Sequence, residues 1–168
     1  MKKSGVLIIA LTIFFAAAVI AGCTGPQNTI DEPEITADYL AGEYAAQLVR
    51  DGASVVFGSI EIMRDEEDTV FVHVAEKEFV EDSDLPNGFY IADRNQDSDY
   101  QLAYEARATF LWGGSNAPEA MGSSDFIEAV MQDFDEFSAG DQDYGEYKLY
   151  DIYIMEEQIE LLIARYIP

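Results

Sequence analysis

The sequence predicts an α+β fold: a strongly curved antiparallel sheet, an N-terminal helix, and a second helix before the last two strands. Three observations carry this. In two stretches, apolar residues recur at about every fourth position, the period of a helix face. Several other stretches alternate apolar and polar residues and are rich in Val, Ile, Tyr and Phe, as strands are. The stretches follow one another as a helix, a run of strands, a second helix and two last strands, an order that suits α+β.

Taken in order, Thr36 can cap the first helix, with Ile35 and Leu40 placed as a hydrophobic staple. Leu40, Tyr44 and Leu48 share one face and Gly52 supplies the stop, so residues 37 to 50 read as an amphipathic helix. "SVVFGSIEIM" (54 to 63) and "TVFVHVAEKEFV" (69 to 80) read as strands joined by the acidic loop "RDEED". "LPNG" (85 to 88) is a turn. "FYIA" (89 to 92) is a short strand, and "EARATFLW" (105 to 112) is another, with Ala106, Ala108, Phe110 and Trp112 on one face. "WGGSNAPEAMG" reads as loop. Asp125 and Glu128 have capping-box spacing, and Phe126, Val130, Phe134 and Phe137 form a helical stripe that stops at "SAG". "YKLYDIYIM" and "QIELLIARYIP" are two final strands joined at Glu156-Glu157. If "FYIA" is an addition, the order matches a five-stranded barrel of the OB type, whose helix lies between its third and fourth strands. The alternative is an open antiparallel sheet with both helices on one face.

The start of the chain says where the protein is sent. Lys2 and Lys3 precede an apolar run from Val6 to Ala21, broken only by Thr12. That is the n-region and h-region of a secretory signal. Continued to Cys23, the run is at the lower limit for crossing a bilayer. Ala21 and Gly22 are small, as a peptidase pocket requires, and no basic flank follows. Ile20-Ala21-Gly22-Cys23 resembles the lipobox of prokaryotic lipoproteins. The resemblance implies that residues 1 to 22 are a lipoprotein signal peptide. It also implies that Cys23 becomes the first residue and carries a diacylglycerol on its sulfur. An uncleaved anchor is the alternative, and it too leaves the chain exported and tethered. The expected location is the extracytoplasmic face of a cell membrane, reached through the lipid anchor.

Residues 23 to 35 then form a flexible tether, rich in Pro and polar side chains. A coil of that length spans roughly 20 Å. Residues 36 to 168 are expected to form a single globular domain, a size sufficient for one core. Cys23 is the only cysteine, so no internal disulfide can form. Gly88 to Ile91 is similar to a "GYYI"-like strand that precedes a polar loop in a family of small exported domains. That family has no assigned activity, so the similarity implies no functional residue.

Charge narrows the partners. The leader holds Lys2 and Lys3 and no acid, so the mature chain sets 7 basic residues against 33 acidic ones, a net −26. Nucleic acid is disfavoured, because phosphate contacts need a basic surface. An anionic membrane surface would repel the domain as well. The acids are scattered along the chain, which fits a solvated, soluble surface; binding of a cation or a basic partner is the sharper alternative.

The candidate metal ligands are Asp93, Asn95, Asp97 and Asp99 in "DRNQDSD". Alternating oxygen donors on a curled loop suit Ca2+, which needs six to eight oxygens. The EF-hand pattern is incomplete: its glycine and glutamate positions hold Ser98 and Tyr104. The plain alternative is a solvated acidic loop. "DQDYGE" (141 to 146) is a second acidic loop. His73 is the only histidine, mid-strand, and reads as a hydrogen-bonded strand residue. No nucleophile elbow and no phosphate loop is present, and 33 acids make chance carboxylate pairs inevitable. No catalytic residue and no ligand-binding residue is nominated.

Three functions follow, in order of preference. The first is a non-catalytic envelope binding module held at the membrane by its lipid, with an envelope protein or a glycan as partner. The second is a calcium-dependent surface protein using residues 93 to 99. The third is an envelope hydrolase acting through carboxylates.

Overall fold

The computed structural model describes residues 35–66, 69–113, 115–138 and 148–167. The leader, Cys23, the tether and the acidic stretch from Asp141 to Glu146 lie outside the described residues. The fold is α+β, with six strands and two helical segments among the described residues.

The N-terminal helical segment runs in three parts. These are α1 (Ala37–Tyr39), a π-helical stretch (Leu40–Tyr44) and α2 (Ala45–Arg50). Thr36 caps it as expected, its hydroxyl oxygen accepting from the Tyr39 amide at 3.2 Å. Gly52 ends it with φ 105. The Gly52 amide donates to the Val49 carbonyl and the Ala53 amide to the Leu48 carbonyl, the paired bonds of a Schellman stop.

The strands are β1 (Ser54–Arg64), β2 (Val70–Glu81), β3 (Phe89–Phe110), β4 (Glu119–Gly122), β5 (Leu149–Met155) and β6 (Gln158–Arg165). Their pairings run round a ring: β1 with β2, β2 with β3, β3 with β6, β6 with β5, and β5 back to β1. Among the described residues, only β3 and β6 pair in parallel. β4 lies antiparallel against β3 at Arg107 to Phe110. The helix α3 (Ser123–Ser138) falls between β4 and β5.

Alternation along β5 shows how the layers are built. Tyr150, Ile152 and Ile154 point into the ring, where they meet Ile60, Val72, Val74, Phe110 and Leu162. Tyr153 and Met155 point outward, beneath the N-terminal helical segment. There Leu40, Ala45 and Leu48 pack on Leu161 and Ile163. The helix α3 adds Phe126, Ala129 and Val130 to the inner core. The Phe126 ring meets Phe110 and Tyr150 edge-on, with centroids 6.2 Å and 5.8 Å apart, a preferred aromatic geometry.

Several expectations are corrected. "FYIA" and the first six residues of "EARATFLW" belong to one strand, β3, which ends at Phe110, and the polar segment between them is extended. Residues 93 to 99 are therefore strand, not loop, because pairing to β2 holds both ends of the stretch: Asp99 with His73, Asp97 with Ala75, Asp93 with Lys77, with a bulge between Asp93 and Asp97. The expected loop after Trp112 contains β4, since Glu119 to Gly122 find a free edge on β3. The helix α3 starts at Ser123, so Asp125 sits in its first turn and not at its cap. There its charge complements the helix dipole. Phe134, a member of the expected helical stripe, is exposed on α3; the inner core takes Phe126, Ala129 and Val130 from this helix.

Candidate functional site

β1 changes partner part-way and β2 loses one of its two, and this creates the site. β1 pairs with β5 over Ser54 to Ser59. It pairs with β2 only from Gly58 onward, starting opposite Glu76. The two strands come together so tightly that a Cβ on Gly58 would lie 2.4 Å from the Ala75 carbonyl oxygen. Before that point they part. Among the described residues, β1 before Gly58 pairs with β5 alone, and β2 after Glu76 pairs with β3 alone.

A cleft of about 640 Å³ opens where they part. Its walls take consecutive residues from both strands: Val55, Val56 and Phe57 from β1, and Glu76, Lys77, Glu78 and Phe79 from β2. Consecutive residues point to opposite faces of a sheet. The cleft therefore lies between two strand edges, and the backbone groups that neither neighbour uses face into it.

The side chains around the cleft are apolar and charged in alternation. Phe79 stacks on Phe89 with centroids 4.6 Å apart. Val55, Phe79 and Tyr166 are about half exposed or more, at 48%, 49% and 62%. Lys77, Arg94 and Arg165 also line the cleft, three of the 7 basic residues outside the leader. Each is matched by an acid. Arg165 Nη1 lies 3.3 Å from Asp151 Oδ2. Arg94 lies 3.8 Å from Glu76 and 3.8 Å from Glu78. Lys77 pairs with Asp93. Burial pushes the Asp151 carboxyl above its usual range, and Arg165 pulls it part of the way back.

The sequence-predicted metal residues fall on the neighbouring outer face. Asp93, Asp97 and Asp99 are exposed along β3. Asp93 is held by Lys77, and Asp99 Oδ1 lies 2.7 Å from His73 Nδ1. Asn95 sits in a bulge, where three residues of β3 oppose Glu76 alone. Its φ of 51 is one that Asn tolerates. Among the described residues, no group of three or more His, Asp, Glu or Cys side chains converges to hold a metal ion.

A second hollow of about 670 Å³ lies at the other end of β2. Phe71, Asp99 and Tyr100 meet the β5–β6 turn there at Glu156 and Glu157. Both turn residues have positive φ, 51 and 65, the mark of a type I′ hairpin turn.

Sequence reasoning did not find the cleft. Its one local signal is Gly58 in the middle of an otherwise β-branched and aromatic strand, a mark of close backbone approach. Among the described residues, no helix is long and apolar enough to cross a membrane. No protein-family model, curated protein or solved structure matches this chain.

Proposed function

We propose that this chain is an exported, lipid-anchored, non-catalytic binding module of the cell envelope, built on an OB-like barrel. The barrel reading rests on the ring order β1-β2-β3-β6-β5, the parallel β3–β6 pair, and α3 placed between the third and fourth ring strands. β4 is then an addition to β3. The anchoring reading rests on the apolar leader and the lipobox-like residues ending at Cys23.

The binding reading is carried by one observation: the cleft between the diverging edges of β1 and β2. It offers unpaired backbone groups, exposed apolar side chains and charged groups already held in place by ion pairs. Such groups suit recognition of an envelope protein, the partner class to which strand edges respond directly. A glycan would use the aromatic rings but not the edges.

Two measurements test this. Mass analysis of the chain from its native membrane is expected to show acylation at Cys23, lost in Cys23→Ser; masses that differ only by the exchange of sulfur for oxygen would remove the anchor. A photo-crosslinking residue at Phe79 or Tyr166 is expected to trap a defined envelope protein in intact cells. The control is the same group at Tyr104, which is 94% exposed elsewhere on β3. Trapping of the same proteins from all three positions would sink the cleft as the binding site.

A further inference from the structure

We propose that the cleft binds its partner by strand addition: an extended, cationic segment of another protein pairs with the open edge of β1. The inference rests on the binding-module reading and names the occupant of that same cleft.

The argument starts from the backbone. Antiparallel strands spend half of their N–H and C=O groups on each neighbour. At Val55 to Phe57 one neighbour, β5, is present, and among the described residues no strand pairs on the β2 side. Continuing the β1–β2 register would place Phe57 opposite Lys77 and Val55 opposite Phe79, yet those pairs are not made. Gly58 explains why the strands stay apart without being forced together: the contact with Ala75 fixes a vertex there. The opening is therefore a fixed feature of two strands that have other partners. Proteins cover or blunt such edges when no partner is intended. Here the edge is flanked by exposed Val55 and Phe79, which leaves it attractive to an added strand.

The sign of the partner follows from charge. The mature chain carries a net −26, so it draws cationic proteins and repels a second copy of itself. Within the cleft Lys77, Arg94 and Arg165 are neutralised by carboxylates. They do not reverse that field. An occupant with apolar residues at alternate positions would set them against Phe79 and Tyr166 and turn its basic residues outward toward the acidic surface.

The test uses the full chain in detergent micelles and two synthetic peptides. The first alternates Lys and Val over about six to eight residues, the usual strand length. The second has the same sequence with N-methyl groups on alternate residues, which blocks pairing on one edge and keeps charge and side chains. The first is expected to bind and to slow amide exchange at Val55 to Phe57. The second is expected to bind at least about tenfold more weakly, as is the first to Phe79→Lys, an exposed change. Equal binding of the two peptides would overturn strand addition while leaving a binding module. Self-association of the free chain at the cleft would overturn the cationic partner. Binding of neutral oligosaccharides in place of both peptides would overturn the protein partner altogether.

Discussion

Lys148 Nζ lies 3.2 Å from Asp133 Oδ2, with both side chains almost fully enclosed, at 11% and 5% exposed. The ammonium also donates to the Leu111 carbonyl and stands 4.5 Å over the Phe110 ring. One cation thus ties α3, the end of β3 and the approach to β5. Removing its partner leaves a buried charge uncompensated. Asp133→Ala is expected to cost about 3–5 kcal/mol. Lys148→Met, which leaves an apolar stem in an apolar place, is expected to cost less than Lys148→Ala. Urea unfolding of the three variants checks the order. Equal, small losses would show that the pair contributes nothing.

Gly58 predicts a second effect. Its absent Cβ would collide with backbone, the Ala75 carbonyl, and not with a side chain that can turn away. Gly58→Ala is expected to destabilise by roughly 1–3 kcal/mol, the usual cost of overpacking. Amide exchange should rise first at Gly58 to Ile60 and Val74 to Glu76. A neutral substitution would mean that β1 and β2 can separate freely at this point.

The β5–β6 turn is strained in a way that can be relieved. Glu156 and Glu157 both adopt left-handed backbone conformations, which cost a non-glycine residue about 1 kcal/mol or more each. A type I′ turn prefers Asn-Gly. The double change Glu156→Asn/Glu157→Gly is expected to gain about 1–2 kcal/mol, a rise of several degrees in Tm. Thermal unfolding measures it directly. An unchanged or lower Tm would show that the acids repay the strain through other contacts.

The Asp151 carboxyl supplies a pH signature. Its folded pKa is raised, chiefly by burial. A raised acid favours the folded state most when protonated. That contribution is present below the unfolded value of about 4 and is lost as pH rises through the higher folded value. Asp151→Asn imitates the protonated form at every pH. Stability of the wild type relative to this variant is therefore expected to fall as pH rises from the acid range toward neutrality. A difference independent of pH would refute the assignment.

Much of the fold was legible in the sequence. Thr36, Gly52 and the period of Leu40, Tyr44 and Leu48 located the first helix to the residue, because caps and stops are local chemistry. The alternation of Val70, Val72 and Val74 located β2, since one face is buried. The failure came at residues 93 to 104. Their Asp, Asn and Ser content reads as turn, because residues 93 to 99 are all exposed, so neither face of β3 imposes an apolar alternation there. Strand pairing with β2 overrides local preference. The cleft was illegible for a related reason. Which edge of a strand stays open depends on partners from distant parts of the chain, and side-chain periodicity reports faces, not edges.

The ring order has a consequence for how the molecule forms. β5 and β6 come after α3 in the chain, yet they stand between β1 and β3 in the ring. Ser54 pairs with Ile154, a hundred residues later. Such non-local pairing makes folding slow, because long loops must close before the contacts that reward closure exist. A chain synthesised from its N-terminus presents β1, β2 and β3 first. Until β5 arrives, β1 lacks a partner on either side of Val55. The emerging protein thus passes its slowest folding step with that edge uncovered, and its net charge of −24 keeps neighbouring copies apart during that interval.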